Sequence, residues 1–286
     1  MMRRIFSLLA VSLSVITLYA QGGTVEKSVD FRTITALDIS SVFEVELTKA
    51  SRQSVRLEYS EELAPYLIAE TSGGKLELSF SMSKMDRQLR RKINRNGING
   101  GNGSYVLKAY ISVPSLSSIE TSGAAEVRSS GLFQAKDLSV DICGASSVSG
   151  LEAAGQNLSV EVSGAGRFSM PSADFAESRL DLNGAATVSL AGTYNRMSLQ
   201  ASGASELYLS GKAVNLDIEA SGAASVSARE LDVDEVSING SGAANITVRP
   251  EKLMEVSMSG ACTISYPKGV PIKVISFSRG CNIDTY

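Results

Sequence analysis

The chain has 286 residues, with 27 Lys and Arg against 30 Asp and Glu, a net charge of −3, 3 cysteines, and neither histidine nor tryptophan. Without histidine there is no Ser-His-Asp or Cys-His nucleophile, no imidazole metal ligand and no histidine pH switch. A charged fraction of 20% beside 43% hydrophobic residues describes a folded globular chain with ample core, and the acid-leaning balance gives no reason to expect a nucleic-acid partner.

Residues 1–20 read as a secretory signal peptide. Arg3 and Arg4 supply a positive start, Ile5 to Leu18 is apolar apart from Ser and Thr, and Leu18-Tyr19-Ala20 presents a small residue for cleavage before Gln21. The run is too short and too rich in serine for a span of roughly 20 apolar residues. The first cysteine is Cys143, so a lipid-modified start is not expected. No transmembrane segment is expected after cleavage, and export permits disulfides.

Residues 21–115 form an N-terminal β-rich region. Val42 to Leu47, Val55-Arg56-Leu57-Glu58-Tyr59, Leu76-Glu77-Leu78 and Tyr105 to Val113 alternate with period two, and Ser72-Gly73-Gly74 reads as a hairpin turn. Glu61 to Ala69 reads as one short helix or turn, interrupted by Pro65. Between two strands lies the segment 84–103, in which Lys84, Arg87, Arg90, Arg91, Lys92 and Arg95 face one acid, Asp86. It is predicted to be a long solvated hairpin loop; its functional reading is a basic arm for polyanionic glycans or an acidic partner. Its glycines do not match a phosphate-binding loop, because no Gly-Lys-Ser/Thr follows.

Residues 116–286 carry the main signal, an internal repeat. Gly-Ala recurs at Gly123, Gly144, Gly164, Gly184, Gly203, Gly222, Gly242 and Gly260, in steps of 18 to 21 residues, and Ser278-Arg279-Gly280-Cys281 matches Ser259-Gly260-Ala261-Cys262. Four residues after each Gly stands an apolar residue (Val127, Val148, Phe168, Val188, Leu207, Val226, Ile246, Ile264), and four before it another (Ile119, Val140, Val160, Leu180, Leu199, Ile218, Ile238, Val256). The alternation predicts two short strands per repeat with one buried face. A unit of about 20 residues cannot bury that face alone, so repeats stack at about 4.8 Å into a parallel β-solenoid, which crossover handedness makes a right-handed β-helix. The fold class is therefore all-β, with about nine rungs capped by the N-terminal region. Gly suits a tight corner, and the following Ala, such as Ala185, is expected to sit inside the bend. The ladder Ser122, Cys143, Ser163, Asn183, Ser202, Ser221, Ser241 and Ser259 reads as turn chemistry.

Candidate sites are few. Three residues before each Gly stand Glu120, Asp141, Glu161 and Asp181, followed by Gln200, Glu219, Asn239 and Ser257. Consecutive acids on one face repel one another, so either Arg128, Arg167 and Arg179 screen them or they bind a cation such as calcium; screening is favoured and no metal site is assigned. Cys262 and Cys281 align on adjacent rungs, as a disulfide or as two stacked thiols, and Cys143 has no rung partner. No catalytic residue and no cofactor emerge. β-Helix lyases and hydrolases work with carboxylates and Arg or Lys, but the carboxylates here form a regular ladder, and aromatic residues are only 6% of the chain.

The order of parts carries a resemblance. Phe43-Glu44-Val45-Glu46-Leu47 is followed by Gly73-Gly74-Lys75-Leu76-Glu77-Leu78, by Ser112-Val113-Pro114-Ser115-Leu116, and then by tandem Ser-Gly-Ala repeats from Thr121-Ser122-Gly123-Ala124. This resembles the putative auto-transporter adhesin, head GIN domain family of exported Bacteroidetes proteins. The resemblance implies a β-helical fold, an adhesive role and no catalytic residues to carry over. The repeats run to Tyr286 without a membrane-translocating barrel, so a periplasmic role is expected beside an extracellular or cell-surface one in a Gram-negative bacterium. The expected function is a non-enzymatic binding scaffold or adhesin for a glycan or protein ligand. The alternatives are a carbohydrate-active enzyme acting on acidic polysaccharide and a purely structural envelope protein.

Overall fold

The structure, a computed structural model, describes the backbone of 17–20 and residues 23–29, 31–100 and 104–286. Most of the expected leader, 1–16, lies outside the described residues; Thr17–Ala20 pairs antiparallel with Thr24–Val29. The repeats wind into a parallel β-solenoid of about eight turns, in keeping with the rungs counted from the glycines. Its register follows the sequence columns. Val127, Val148, Phe168, Val188, Leu207, Val226, Ile246, Ile264 and Ile283 pair in turn along one ladder. Ile119, Val140, Val160, Leu180, Leu199, Ile218, Ile238 and Val256 pair along another. Both ladders point into one continuous apolar core. The expected pair of short strands per repeat is in fact nearly one strand per coil. Arg167–Gly184 and Thr187–Ala201 each run most of a turn and break only at the Gly-Ala corner.

That corner has its own ladder. The N–H of Ala223 donates to the carbonyl of Gly203 at 2.8 Å, and the N–H of Ala243 donates to Gly222 at 2.7 Å; the same bond recurs down the stack. Gly222 has φ +69°, and a Cβ added there would lie 2.8 Å from the Gly203 carbonyl oxygen, so both conformation and stacking exclude a side chain. The expectation for the following alanine needs correction. Ala185 is exposed, and the tight position is one residue further on, where Ala125, Ser146, Ala186, Ser205, Ala224, Ala244 and Cys262 are all at most 1% exposed.

The N-terminal region does not precede the solenoid in space. Leu37 pairs with Leu76 on one side and with Ile119 on the other, so the coil made by Ala36–Ile39 and Glu44–Lys49 lies between Lys75–Phe80 with Leu107–Val113 and the first Gly-Ala coil. Ser41, with φ +74°, occupies the corner that glycine fills elsewhere, and its carbonyl accepts from Ala124 at 2.6 Å. Beyond this coil the pairing turns antiparallel. Leu67–Ser72 closes one sheet on Lys75–Phe80, and Ser54–Ser60 with Thr24–Val29 closes the other on Leu107–Val113. These strands finish one end of the stack and leave no parallel edge to recruit another chain. At the other end the last coil, Ile272–Phe277, exposes Val274, Ile275 and Phe277.

The segment 84–103 is not a hairpin loop. Arg87–Asn96 is an α-helix; the Asp86 carboxylate caps it by accepting from the N–H groups of Gln88 and Leu89 at 2.8 and 3.0 Å, and Gly97 ends it at φ +78°. Leu89 and Ile93, one turn apart, are its buried face, a spacing that the density of basic residues around them obscured. Residues 101–103 of that segment lie outside the described residues. Glu61–Tyr66 is a short 3-10 helix that includes Pro65.

Two stability outcomes follow from this packing. Ala186→Phe should cost roughly 1–3 kcal/mol by overpacking, while Ala185→Phe should stay within about 0.5 kcal/mol, as read from urea unfolding of both variants. Equal costs would contradict the placement of the tight column. Tyr194 is 1% exposed, its hydroxyl has no hydrogen-bond partner among the described residues, and burial pushes its pKa well above the ordinary phenol value. Tyr194→Phe should therefore be neutral or stabilising by up to about 1 kcal/mol; a clear loss in the same assay would mean that the hydroxyl is satisfied.

Candidate functional site

One outward column runs the length of the stack: Glu77, Asp38, Glu120, Asp141, Glu161, Asp181, Gln200, Glu219, Asn239, Ser257 and Ser276 pair in that order. The four acids singled out from the repeat are thus joined by Asp38 and Glu77 from the N-terminal coils. Screening of these charges is local. Lys75 Nζ lies 2.6 Å from Glu120, and Arg179 Nε lies 2.9 Å from Asp181. Of the three arginines expected to screen the ladder, only Arg179 reaches it; Arg128 pairs with Glu44 at 2.6 Å and Glu126 at 2.7 Å. Among the described residues no cluster of three Asp, Glu, Cys or His has the geometry of a metal site.

Burial, and then the charge of Glu120, push the Asp38 carboxyl above its ordinary value, with Lys75 opposing. The folded chain therefore favours the protonated form, and stability contributed by this group falls as pH rises from the ordinary carboxylate range through the raised pKa. Asp38→Asn should raise the thermal midpoint at pH 7, with the gain fading as pH falls toward the ordinary carboxylate pKa. A lower midpoint at pH 7 would show that the pull of Lys75 outweighs burial.

The basic residues of the helix are not equivalent. Arg90 Nη2 donates to the Met82 carbonyl at 2.8 Å, and Lys92 sits 3.6 Å from Glu62, so both are used within the cap. Arg87, Arg91 and Arg95 are exposed on the helix, while Leu89 and Ile93 hold it to the core. They lie on the N-terminal cap, whereas Glu120, Asp141, Glu161 and Asp181 run along the coils. Cys262 is buried and Cys281 half-buried on adjacent rungs, both as free thiols. Burial raises the Cys262 pKa; burial also acts to raise that of Cys281, but hydrogen bonds with Ser278 and Cys262 outweigh it and lower the thiol. Cys143 donates to Asp141 and accepts from Ser163, each at 3.3 Å.

The concave feature of the coils lies where the acid column gives way to amides and hydroxyls. A trough of about 540 Å³ runs from Asp181 to Ser276. One wall is Asp181, Gln200, Glu219, Asn239, Ser257 and Ser276; the other is Asn183, Ser202, Ser221, Ser241 and Ser259. The floor between them is Leu182, Ala201, Ala220, Gly240 and Met258, a column large at its ends and small in the middle. Hydrogen bonds link the first wall along the axis: Arg179 Nη2 donates to Gln200 at 3.4 Å, and Gln200 Nε2 donates to Glu219 at 3.1 Å. In the second wall Ser202 donates to Asn183 at 2.7 Å. A second depression, about 430 Å³, lies upstream on the earlier coils and mixes Asp137 and Glu177 with Arg179 and Arg196. Reading the repeat column by column marked the serines as corner chemistry; the change of the outward column from acids to Gln200, Asn239, Ser257 and Ser276 was the signal for the trough.

Three solved structures share this fold. A "putative lipid binding protein" from Parabacteroides distasonis matches with a TM-score of 0.69 at 15% identity, over 93% of this chain and 98% of that one. A "putative adhesin" from Parabacteroides merdae matches with a TM-score of 0.61 at 16% identity, over 93% and 97%. A second "putative adhesin" from Parabacteroides distasonis matches with a TM-score of 0.62 at 13% identity, over 93% and 98%. No curated protein matches the sequence. The family model described as "Putative auto-transporter adhesin, head GIN domain" matches residues 30–173 and 169–271. With most of its length covered by these two matches, the chain belongs to the family described as "Putative auto-transporter adhesin, head GIN domain".

Proposed function

We propose that this chain is an exported, non-enzymatic β-solenoid, periplasmic or at the cell surface, which binds its ligand along the trough between Asp181 and Ser276. The observation that carries this reading is the trough itself: two parallel combs of polar side chains, about one strand spacing apart along the axis, above a floor formed by the backbone of inward-facing residues. Such a surface offers repeated hydrogen-bonding positions to an elongated ligand and no single reactive centre. The family description points toward adhesion, and a ligand-binding surface on a rigid rod suits that role. A lipid ligand, as named for one structural relative, is less well served, because both walls are polar and an acyl chain needs an enclosed apolar cavity.

The competing enzymatic reading would use Asp181 and Glu219, which face the same trough two rungs apart. Asp181 is engaged by Arg179 and Glu219 by Gln200, so both belong to a hydrogen-bonded ladder and not to a converging pair.

The test is a double substitution, Ser221→Arg with Ser241→Arg, which fills the trough from its outward wall without touching the core. The wild-type and variant mature chains are applied to an array of glycans and extracellular-matrix proteins. The variant should lose at least about tenfold in binding to whatever the wild type retains, with an unchanged thermal midpoint. Retained binding would place the ligand elsewhere on the rod.

A further inference from the structure

We infer that the trough is built for an uncharged, extended polysaccharide chain lying parallel to the solenoid axis. This rests on the trough being the binding surface and names the class of ligand it takes.

Charge gives the first argument. The only ionisable groups in the two walls are Asp181 and Glu219. The next column outward carries Arg179, Ser198, Asp217, Ser237, Glu255 and Lys273 in register with the wall, its acids lying between cations at the two ends. Both of these cations are committed: Arg179 lies 2.9 Å from Asp181 and Lys273 2.7 Å from Glu255. A polyanion would meet uncompensated carboxylates along the middle of the trough and is repelled. The basic residues that might have received one, Arg87, Arg91 and Arg95, are on the cap.

Spacing gives the second. Equivalent side chains recur about every 4.8 Å along the axis. An extended peptide laid in the same direction repeats its same-side groups about every 6.6–6.8 Å, twice the rise per residue, and falls out of step with the combs after one or two positions. An extended, equatorially linked sugar chain advances by slightly more than one strand spacing per ring and turns successive rings over, so its same-side groups repeat at close to two strand spacings and stay nearly in step with every second pair of wall residues. The six side chains of the first wall, Asp181 to Ser276, span on the order of 24 Å at that spacing, enough for five or six rings.

Hydrogen-bond chemistry gives the third. The middle of the trough combines an acceptor-only carboxylate, Glu219, amide donors and acceptors from Gln200 and Asn239, and hydroxyls from Ser221, Ser241, Ser257 and Ser259. Among the described residues Glu219 has no ion-pair partner, and one of its oxygens accepts from Gln200. The other oxygen is placed to accept from sugar hydroxyls. Aromatic platforms are absent from the lining, so affinity must accumulate from hydrogen bonds over several rings and should grow with chain length.

Calorimetry of the mature chain with cellohexaose, xylohexaose and mannohexaose, against hexagalacturonate, a heparin hexasaccharide and an extended neutral peptide, tests the assignment. At least one neutral hexasaccharide should bind, at least about tenfold more tightly than its trimer, while the anionic sugars and the peptide do not. Glu219→Gln, at an exposed position, should weaken that binding roughly tenfold, the loss expected for a hydrogen bond to a charged group, and leave folding intact. Preference for an anionic sugar or for the peptide overturns the ligand class. If the Ser221→Arg, Ser241→Arg variant loses its array ligands while no neutral sugar binds or competes, the ligand class falls and the trough stands as the binding surface. If neutral sugars bind the occluded variant as well as the wild type, the trough itself is the wrong surface.

Discussion

The structure depends on one contact repeated down its length, the stacking of backbone on backbone at the glycine corner. A Cβ at Gly222 would lie 2.8 Å from the Gly203 carbonyl oxygen, and from Ala145 onward each alanine N–H after the glycine donates to the glycine carbonyl of the coil before it. No side chain fits between, and the positive φ turns the chain sharply enough for the next strand to begin in register. Because register is set there once per coil, every other position falls into a column, inward or outward by parity. The apolar ladders, the acid ladder and the polar combs are all consequences. A slip of one residue at a single corner would turn a whole coil inside out, which is why the corner tolerates so little variation while the outward columns drift freely in composition.

The same constraint explains how the end is finished. A parallel stack begun at its outermost coil would expose an edge of unpaired backbone groups. Here the chain passes through one end strand, Thr24–Val29, lays down the second coil, Ala36–Lys49, and then builds the remaining antiparallel strands and the helix that cover the end. It returns through Leu107–Val113 and starts the repeats on the far side of the coil it made first. In this coil Ser41 takes the corner, and its hydroxyl donates to the Phe80 carbonyl at 2.8 Å. Asn99 completes the turn from the cap, donating to the carbonyls of Val42 and Leu107 and accepting from the Leu107 N–H. Side chains thus supply what a neighbouring coil supplies elsewhere.

This arrangement marks what could be read from the sequence. The solenoid was legible because the glycine steps are regular and the flanking columns are apolar throughout. The extra coil was not, because its corner is Ser41-Val42 and not Gly-Ala, although Leu37, Asp38, Ile39 and Val45 stand at the repeat's own offsets. The helix at Arg87–Asn96 was hidden by basic residues that drew attention to charge, when Asp86, Leu89, Ile93 and Gly97 form a cap, a buried face and a stop. The tight position was misplaced by one residue because alanine is common at both sites, and only burial separates Ala185 from Ala186. The ladder of acids was visible, and so was Arg179 as a counter-charge, but Lys75 was not, because it comes from a coil that the repeat did not reveal. The trough went unread because each column was judged for its average character. Its meaning lies in how the column changes from coil to coil.

That change is where structure and function meet. Carboxylates stacked at about 4.8 Å repel by about 1 kcal/mol per neighbouring pair even in bulk water, and the first half of the column meets this with Lys75 and Arg179, whose side chains lie across the surface. From Gln200 onward the column is mostly neutral, and the demand for counter-ions ends. The strip between the two combs is floored by the backbone of inward-facing residues, Leu182, Ala201, Ala220, Gly240 and Met258, and is uncovered by long basic side chains. A surface intended only to keep a rod soluble would gain from continuing the charged column of the earlier coils. Abandoning it over a stretch of adjacent coils, with hydroxyls and amides left facing outward at a fixed repeat, leaves hydrogen-bonding capacity that water fills by default and that a polymer of matching pitch can take over.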